Sequence, residues 1–555
     1  MSDAPGLFAP RLQQWLRVVS AITFCNPFSP DVAAYEASAL LPEELADTGG
    51  AWSSAGVAPA ERPNAVRIRE RLRPVLDVAR KRIAAGLAPS DEEGRLYAHG
   101  CIHLLLGDHG AALVPFIDPK PAPPGDGAEP EPKRLGRRPR GGKGAPPSSL
   151  ARGLTAAERA AQRAAYAAFL EDYEAYLVRP FSGPPRLPPE RLFARCFQIR
   201  RALHYIGALV GTSPAMIRLR MRLWEATFTA DLREYLRGEG DGMDDMHTLV
   251  LGESGTGKEL AAQAIGRTGY IPFLADERCF AAADGEHYHC LSLVERAATL
   301  IQGELFGHEA GAFTGAERDI PGWLELCPSG GRLFLDEIAE LDVALQPMLL
   351  RVITSRKFQR LGGRTDRMFS GRLIAATNQD LPALIKAGKF RDELYQRLAV
   401  DKIRTPPLRE QLAGAPGDLY AMVRHVAVKD RGPELGQRLA DKAIAIIEQK
   451  HGPRYMWPGN FREVERTVRR IFIHDKDVHA TPSTQRPAAA ADSGAALGRD
   501  ILEGRLTMDE IERRAVLAAY QKTKSIRRGA RLLGIHRDRF GKRLREALGD
   551  GKPGT

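Results

Sequence analysis

The stretch 247–260, "HTLVLGESGTGKEL", decides the fold. It is an apolar run, a glycine-rich turn and the opening of a helical pattern. Gly252, Gly255 and Gly257 leave backbone N–H groups free to converge on phosphate oxygens, and the N-terminus of the following helix adds favourable partial charge. The loop Gly252, Glu253, Ser254, Gly255, Thr256, Gly257, Lys258 and Glu259 therefore reads as a cradle for ATP, with Lys258 reaching the β- and γ-phosphates. In most such loops Ser or Thr follows the lysine and helps to hold Mg²⁺; here Glu259 stands in that place.

The next strand-like run, "GRLFLDEIAEL" at 331–341, ends in Asp336 and Glu337. Open α/β sheets carry their chemistry at the C-terminal ends of strands. Asp336 is expected to hold Mg²⁺ through water, and Glu337 to orient and polarise the attacking water. "GRLIAATNQDL" at 371–381 ends in Thr377 and Asn378, placed to sense a γ-phosphate. "FRDELYQRL" at 390–398 sets Arg391 and Arg397 on a helix, from which they would stabilise phosphoryl charge in a neighbouring subunit. That arrangement requires a ring or partial ring. The alternation of apolar strands with helical patterns over 207–478 predicts an α/β domain with a parallel sheet.

A formal charge of +11 suggests a polyanionic partner. Six cysteines without a paired framework fit a reducing compartment, and no run approaches the length of a membrane span, so a cytoplasmic protein without a membrane partner is expected. Residues 1–117 have helical patterning, in which Val66, Leu72, Val75, Leu76, Ala79 and Ile83 share a face and the arginines a solvated one, and are expected to form an N-terminal regulatory region. Residues 118–152 are rich in Pro, Gly and Arg and read as a disordered linker. "TAAE" at Thr155 is a capping box opening a helix to about Leu177, and 153–206 reads as a helical continuation of the regulatory region. A second linker, 479–500, leads to a basic helical segment at 501–555. Cys279, His287, His289 and Cys290 raise the question of zinc, although their spacing fits no familiar site.

With these residues in place the chain resembles the bacterial enhancer-binding proteins, AAA+ ATPases that activate sigma-54 RNA polymerase. The motifs are "GESGTGKE" with Glu259, "ELFGHEAGAFTGA" at 304–316, "TPPLREQ" at 405–411 and "WPGNFREVE" at 457–465, and the match runs from about Leu209 to Asp475. The resemblance implies a P-loop domain with a small helical lid, assembly as a hexamer, and Arg462 as a reader of nucleotide state. It also implies that Gly311, Ala312, Phe313, Thr314, Gly315 and Ala316 form a mobile loop, with Phe313 and Thr314 contacting sigma-54 near the hydrolytic transition state. The segment 508–548 resembles a Fis-type helix-turn-helix. Its last helix would present His536, Arg537, Asp538, Arg539 and Lys542 to the major groove of double-stranded DNA, with Arg527, Arg528 and Arg531 nearer the phosphates. The implied function is an activator that binds upstream of promoters and uses ATP hydrolysis to convert closed polymerase complexes to open ones.

Two departures stand out. Ser292 occupies the place of an Asn that, in the family, links the catalytic Glu to the loop, and the N-terminal region lacks the acidic residues and Lys of a phosphoacceptor receiver domain. Ser292 supports an alternative, a DNA-binding regulator with weak or uncoupled ATPase that acts as repressor or scaffold.

Overall fold

The computed structural model describes residues 6–45, 62–117, 154–181 and 187–474, apart from 230, 239–242, 244, 245, 295, 296, 314, 453 and 454, and then 509, 512, 515–517, 519, 520 and 525–548. The linkers expected at 118–152 and 479–500 lie outside the described residues. The chain divides into two compact units, 1–477 and 478–555. Among the described residues no helix is long and apolar enough to cross a membrane.

The first unit begins with a helical bundle: α1 (Pro10–Phe24), α2 (Asp31–Ala39), α3 (Pro63–Ala84) and α4 (Asp91–Leu113). Leu16, Val19, Leu72, Leu76, Leu96 and Leu104 fill its core. The Ser90 hydroxyl accepts from the Glu93 backbone N–H while the Glu93 carboxylate accepts from that of Ser90, a reciprocal cap that fixes the start of α4. The arginines of α3 do more than face water: Arg71 pairs with Glu44 at 2.5 Å and Arg69 with Asp108 at 3.4 Å. Helix α5 (Ala156–Tyr173) opens on the expected Thr155–Glu158 capping box. Helices α6 (Pro189–Gly207), α7 (Pro214–Phe228) and α8 (Leu232–Arg237) lead to the sheet.

The α/β part follows as β1 (Thr248–Leu251), α9 (Lys258–Gly266), the hairpin of β2 (Phe273–Leu274) and β3 (Cys279–Phe280), β4 (Tyr288–Ser292) and α10 (Ala298–Phe306). Next come β5 (Gly307–His308), β6 (Ile320–Pro321), α11 (Trp323–Leu326), β7 (Arg332–Asp336) and α12 (Gln346–Ser355). The hairpin of β8 (Lys357–Phe358) and β9 (Arg367–Met368) precedes β10 (Arg372–Thr377), α13 (Leu381–Lys386), α14 (Asp392–Leu398) and β11 (Asp401–Arg404). Helices α15 (Leu408–Gly414), α16 (Asp418–Arg431), α17 (Pro433–His451) and α18 (Asn460–His474) close the unit as a small lid around Met422, Val423, Ala440, Ile447 and Val464.

The main sheet has the order β11-β1-β10-β7-β4, and every pairing is parallel. Alternate residues of its strands feed two cores, as a sheet covered on both faces requires. Val250, Phe334, Ile374 and Ala376 pack under α6, α7 and α9, while Leu249, Leu333, Leu335 and Leu373 pack with residues of α10, α12 and α14.

The core does not respect the boundary expected at 206/207. Ile199, Ala202 and Ile206 of α6 share one cluster with Leu219 and Leu223 of α7 and Ala261 and Ala262 of α9. Polar contacts add to this. Gln198 donates to the Thr268 carbonyl at 2.9 Å, and Arg201 donates to the carbonyls of Arg267 (2.6 Å) and Gly269. These acceptors lie at and just beyond the end of α9, where helical carbonyls lack intrahelical partners. Helix α6 is therefore built into the core of the α/β part.

In the second unit, α19 (Ile526–Leu533) and α20 (Arg537–Leu548) are joined by a turn in which Gly534 has φ +65°, a left-handed C-cap. Val516, Ala519, Ala530, Phe540 and Leu544 form its core, and Leu532 is exposed.

Candidate active site

Strand β1 delivers the glycine-rich turn to the C-terminal edge of the sheet, between β10 and β11. Gly255 and Gly257 have φ of +79° and +89°, which L side chains rarely adopt. A Cβ on Gly255 would lie 2.5 Å from the Gly459 carbonyl, and one on Gly252 would collide with the Thr405 hydroxyl. The chain thus keeps glycine where the backbone has to bend and where the lid approaches. The Thr256 hydroxyl braces the turn, 2.7 Å from both the Glu253 carbonyl and the Thr405 hydroxyl.

Lys258 is buried at the first turn of α9, where its Nζ donates to the Gly252 carbonyl at 3.1 Å and lies 3.3 Å from Glu337 Oε1. Glu337 directly follows β7 and is held at φ +54°, an unusual conformation for a residue with a side chain. Its second carboxylate oxygen accepts the Asn378 backbone N–H at 3.0 Å. Three strand ends, from β1, β7 and β10, therefore converge on one carboxylate. Asp336 closes the group; burial, reinforced by Glu337, raises its pKa above the ordinary carboxylate value. A desolvated carboxylate beside a second one is a natural seat for a cation. Among the described residues no three His, Cys, Asp or Glu side chains cluster as a metal site; Asp336 is the carboxylate that would hold Mg²⁺ beside a bound nucleotide.

The lid grips the same loop. Arg462 donates to the Ser254 hydroxyl at 2.9 Å, and the Phe461 N–H to the Gly255 carbonyl at 3.1 Å. Arg409 forms a two-pronged pair with Glu253, which also accepts from Asn460 at 3.2 Å, and the hydrogen bonds from Arg409 hold the Glu253 pKa below its usual value. Asn460 itself has φ +51° and donates to the Ser254 carbonyl at 3.0 Å. Arg409, Asn460 and Thr405 sit within "TPPLREQ" and "WPGNFREVE", but only contact with the loop reveals their roles. Glu259 lies in the first turn of α9 and is exposed. Arg391 is the N-cap of α14 and Arg397 lies in its last turn, both exposed and, among the described residues, with no carboxylate partner.

Residues 311–313, 315 and 316 crown a stem formed by β5 and β6, in which Gly307 pairs with Pro321 and His308 with Ile320. The stem docks on the β8–β9 loop through Glu309 N–H to the Leu361 carbonyl and Leu361 N–H to the Gly307 carbonyl, both 3.0 Å. At the tip the Gly311 N–H donates to the Ala316 carbonyl at 2.8 Å, and Phe313 is 48% exposed with its ring edge-on to His308 at 4.9 Å. Gly311 and Gly315 are left-handed with open space around them. Thr314 lies outside the described residues. Ser292 ends β4 opposite Asp336, and its side chain makes no hydrogen bond to Glu337 among the described residues. The zinc question finds no support in the geometry. Cys279 belongs to β3 and the other three residues to the segment at β4, where His289 packs on Trp323 and burial pushes His287 down to about 4 and Cys290 up to about 11.

In the second unit Arg527, Arg528, Arg531, His536, Arg537, Arg539 and Lys542 are all exposed. Arg539 is engaged by Glu512 at 2.9 Å, and His536 lies 3.5 Å from Asp538.

The family model described as the Sigma-54 interaction domain matches residues 238–404. The chain is similar to the Nif-specific regulatory protein of Enterobacter agglomerans, 39% identical over 298 residues that cover 52% of this chain and 53% of that protein. It is 34% identical over 350 residues to the Nif-specific regulatory protein of Azotobacter vinelandii, covering 61% and 58%. Against the DNA-binding transcriptional regulator NtrC of Bradyrhizobium sp. (strain RP501 Parasponia), it is 34% identical over 376 residues, covering 61% and 69%. The chain spans little more than half the length of the two Nif-specific regulators.

Proposed function

This chain belongs to the family of sigma-54-dependent transcriptional activators, and from that membership we propose that it hydrolyses ATP to remodel sigma-54 RNA polymerase from closed to open promoter complexes. The observation that carries the reading is the Lys258–Glu337–Asn378 contact at the strand ends. Lys258 is the cation for the β- and γ-phosphates, and on engaging them it releases Glu337 Oε1. The Asn378 N–H keeps the other oxygen in place, so the freed one orients the attacking water. Asp336 would hold Mg²⁺, which when bound would supply charge neutralisation at the phosphate oxygens. Arg462, on Ser254, ties the lid to the state of the loop.

Arg391 and Arg397, exposed and without carboxylate partners among the described residues, suit donation to the phosphates of an adjacent protomer in a hexamer. Phe313, exposed at the tip of a glycine-hinged loop, suits contact with sigma-54, with Thr314 beside it. The basic face of α19 and α20 suits double-stranded DNA upstream of the promoter, with Arg537 and Lys542 as base-reading candidates and Arg527, Arg528 and Arg531 on phosphates.

The loop assignment is tested with Phe313→Ala. We expect this variant to keep ATP turnover within about twofold of wild type, because the ring touches His308 and no residue of the nucleotide site, while losing co-sedimentation with sigma-54 in the presence of a hydrolytic transition-state analogue. Full retention of sigma-54 binding would remove the loop from the mechanism.

A further inference from the structure

A cavity of roughly 270 Å³ opens between the N-terminal bundle and the ATPase core, well away from the sheet edge. Arg17 and Ser20 of α1, Glu92, Arg95 and His99 of α4, and Arg233 of α8 line it. Three guanidiniums thus face one carboxylate. That carboxylate is committed: Glu92 Oε1 accepts from Arg17 Nε at 3.0 Å and from Nη2 at 2.7 Å. Arg95 has no hydrogen bond or ion pair among the described residues. Arg233 is nearest to Asp231, whose Oδ1 lies 3.9 Å from Nε and already accepts the Arg233 backbone N–H at 2.8 Å. Its Nε is buried with no hydrogen-bond partner, while its guanidinium lies over the ring of Phe24. A buried guanidinium N–H without a hydrogen-bond acceptor is costly, and the exposed Arg95 brings a second positive charge to the same space. An anion in that space supplies the missing acceptor.

We propose that this cavity binds a small dianion whose carboxylate or phosphate groups are clamped by Arg95 and Arg233, with Ser20 and His99, 2.8 Å apart, as its polar floor. Planar guanidinium forks match both groups in bidentate geometry. The volume sits at the lower end of small-molecule sites, which excludes a nucleotide and admits a short dicarboxylate or inorganic phosphate. The location gives the ligand leverage. Leu232, Tyr235 and Leu236 of α8 lie in the same core as Ala261 and Ala262 of α9, so a dianion bridging α4 to Arg233 fastens the N-terminal bundle to the element behind the phosphate loop.

The test is equilibrium dialysis of the full chain, with Mg·ADP present in excess to occupy the phosphate loop, against radiolabelled succinate and inorganic phosphate in separate arms. We expect one-to-one binding of at least one probe, weakened by added NaCl and weakened about tenfold or more in Arg95→Ala and in Arg233→Ala. Succinate alone identifies a dicarboxylate site, and phosphate alone a phosphate site. Arg95 is exposed, so Arg95→Ala keeps the fold and decides the matter even if Arg233→Ala does not. Absence of binding by both probes at millimolar concentration, or binding unchanged in Arg95→Ala, overturns the proposal. The readout is binding and involves neither ATP turnover nor sigma-54, so it fails or succeeds independently of the activator reading.

Discussion

Glu337 is held in a left-handed conformation between Lys258 and the Asn378 N–H, while its neighbour Asp336 is partly stripped of water beside a second negative charge. Such arrangements cost stability and persist where the chemistry needs them. The Asp336 pKa is raised above its ordinary carboxylate value, so across the interval from there up to its folded value the folded chain binds more protons than the unfolded one. Stability therefore falls as pH rises through that interval, and the full penalty remains at neutral pH. Asp336→Asn is predicted to raise the melting temperature of the nucleotide-free protein at pH 7 and to abolish Mg²⁺-dependent turnover; a lower melting temperature would contradict the assigned environment. The glycines, Lys258 and the acidic pair were legible from sequence because each has a fixed place after a strand. Arg409, Asn460 and Thr405 were not, because their significance lies in contacts across more than 50 residues of chain.

The parallel sheet and the lid followed from periodicity and motif spacing, since apolar strands buried on both faces read plainly. The place of α6 did not. Its residues fall on the regulatory side of the boundary expected at 206/207, yet Arg195 and Arg201 are fully buried. Arg201 satisfies carbonyls at the end of α9 and lies 3.4 Å from the buried Asp284. Arg201→Ala would take the guanidinium away from those carbonyls and leave the buried Asp284 carboxylate with the Tyr205 hydroxyl but without the charge that faces it, with an expected loss of about 3–5 kcal/mol in urea unfolding. A loss below about 1 kcal/mol would show that α6 is only loosely attached. Likewise, the stem beneath 311–316 was invisible in sequence, because two-residue strands carry no readable period and its docking on Leu361 is a distant backbone pairing.

Assembly makes its own demand. If Arg391 and Arg397 act across an interface, a site is complete only when one protomer supplies Lys258 and Glu337 and the next supplies the arginines. Mixing Lys258→Ala with Arg397→Ala protomers, each inactive alone, is predicted to restore part of the ATP turnover through mixed interfaces. Turnover that stays at zero at every mixing ratio would place Arg397 outside the neighbouring site.

The most direct measurement is the formation of heparin-resistant open complexes by sigma-54 holoenzyme with ATP, comparing the wild-type chain with Glu337→Gln. The account predicts open complexes with wild type and none with the variant, which retains ATP binding but loses the carboxylate that orients water, a loss of about 10²–10⁴ in turnover. Wild type that hydrolyses ATP without opening the promoter, or a variant that opens it as well as wild type, would contradict the claim that hydrolysis at Glu337 drives polymerase remodelling.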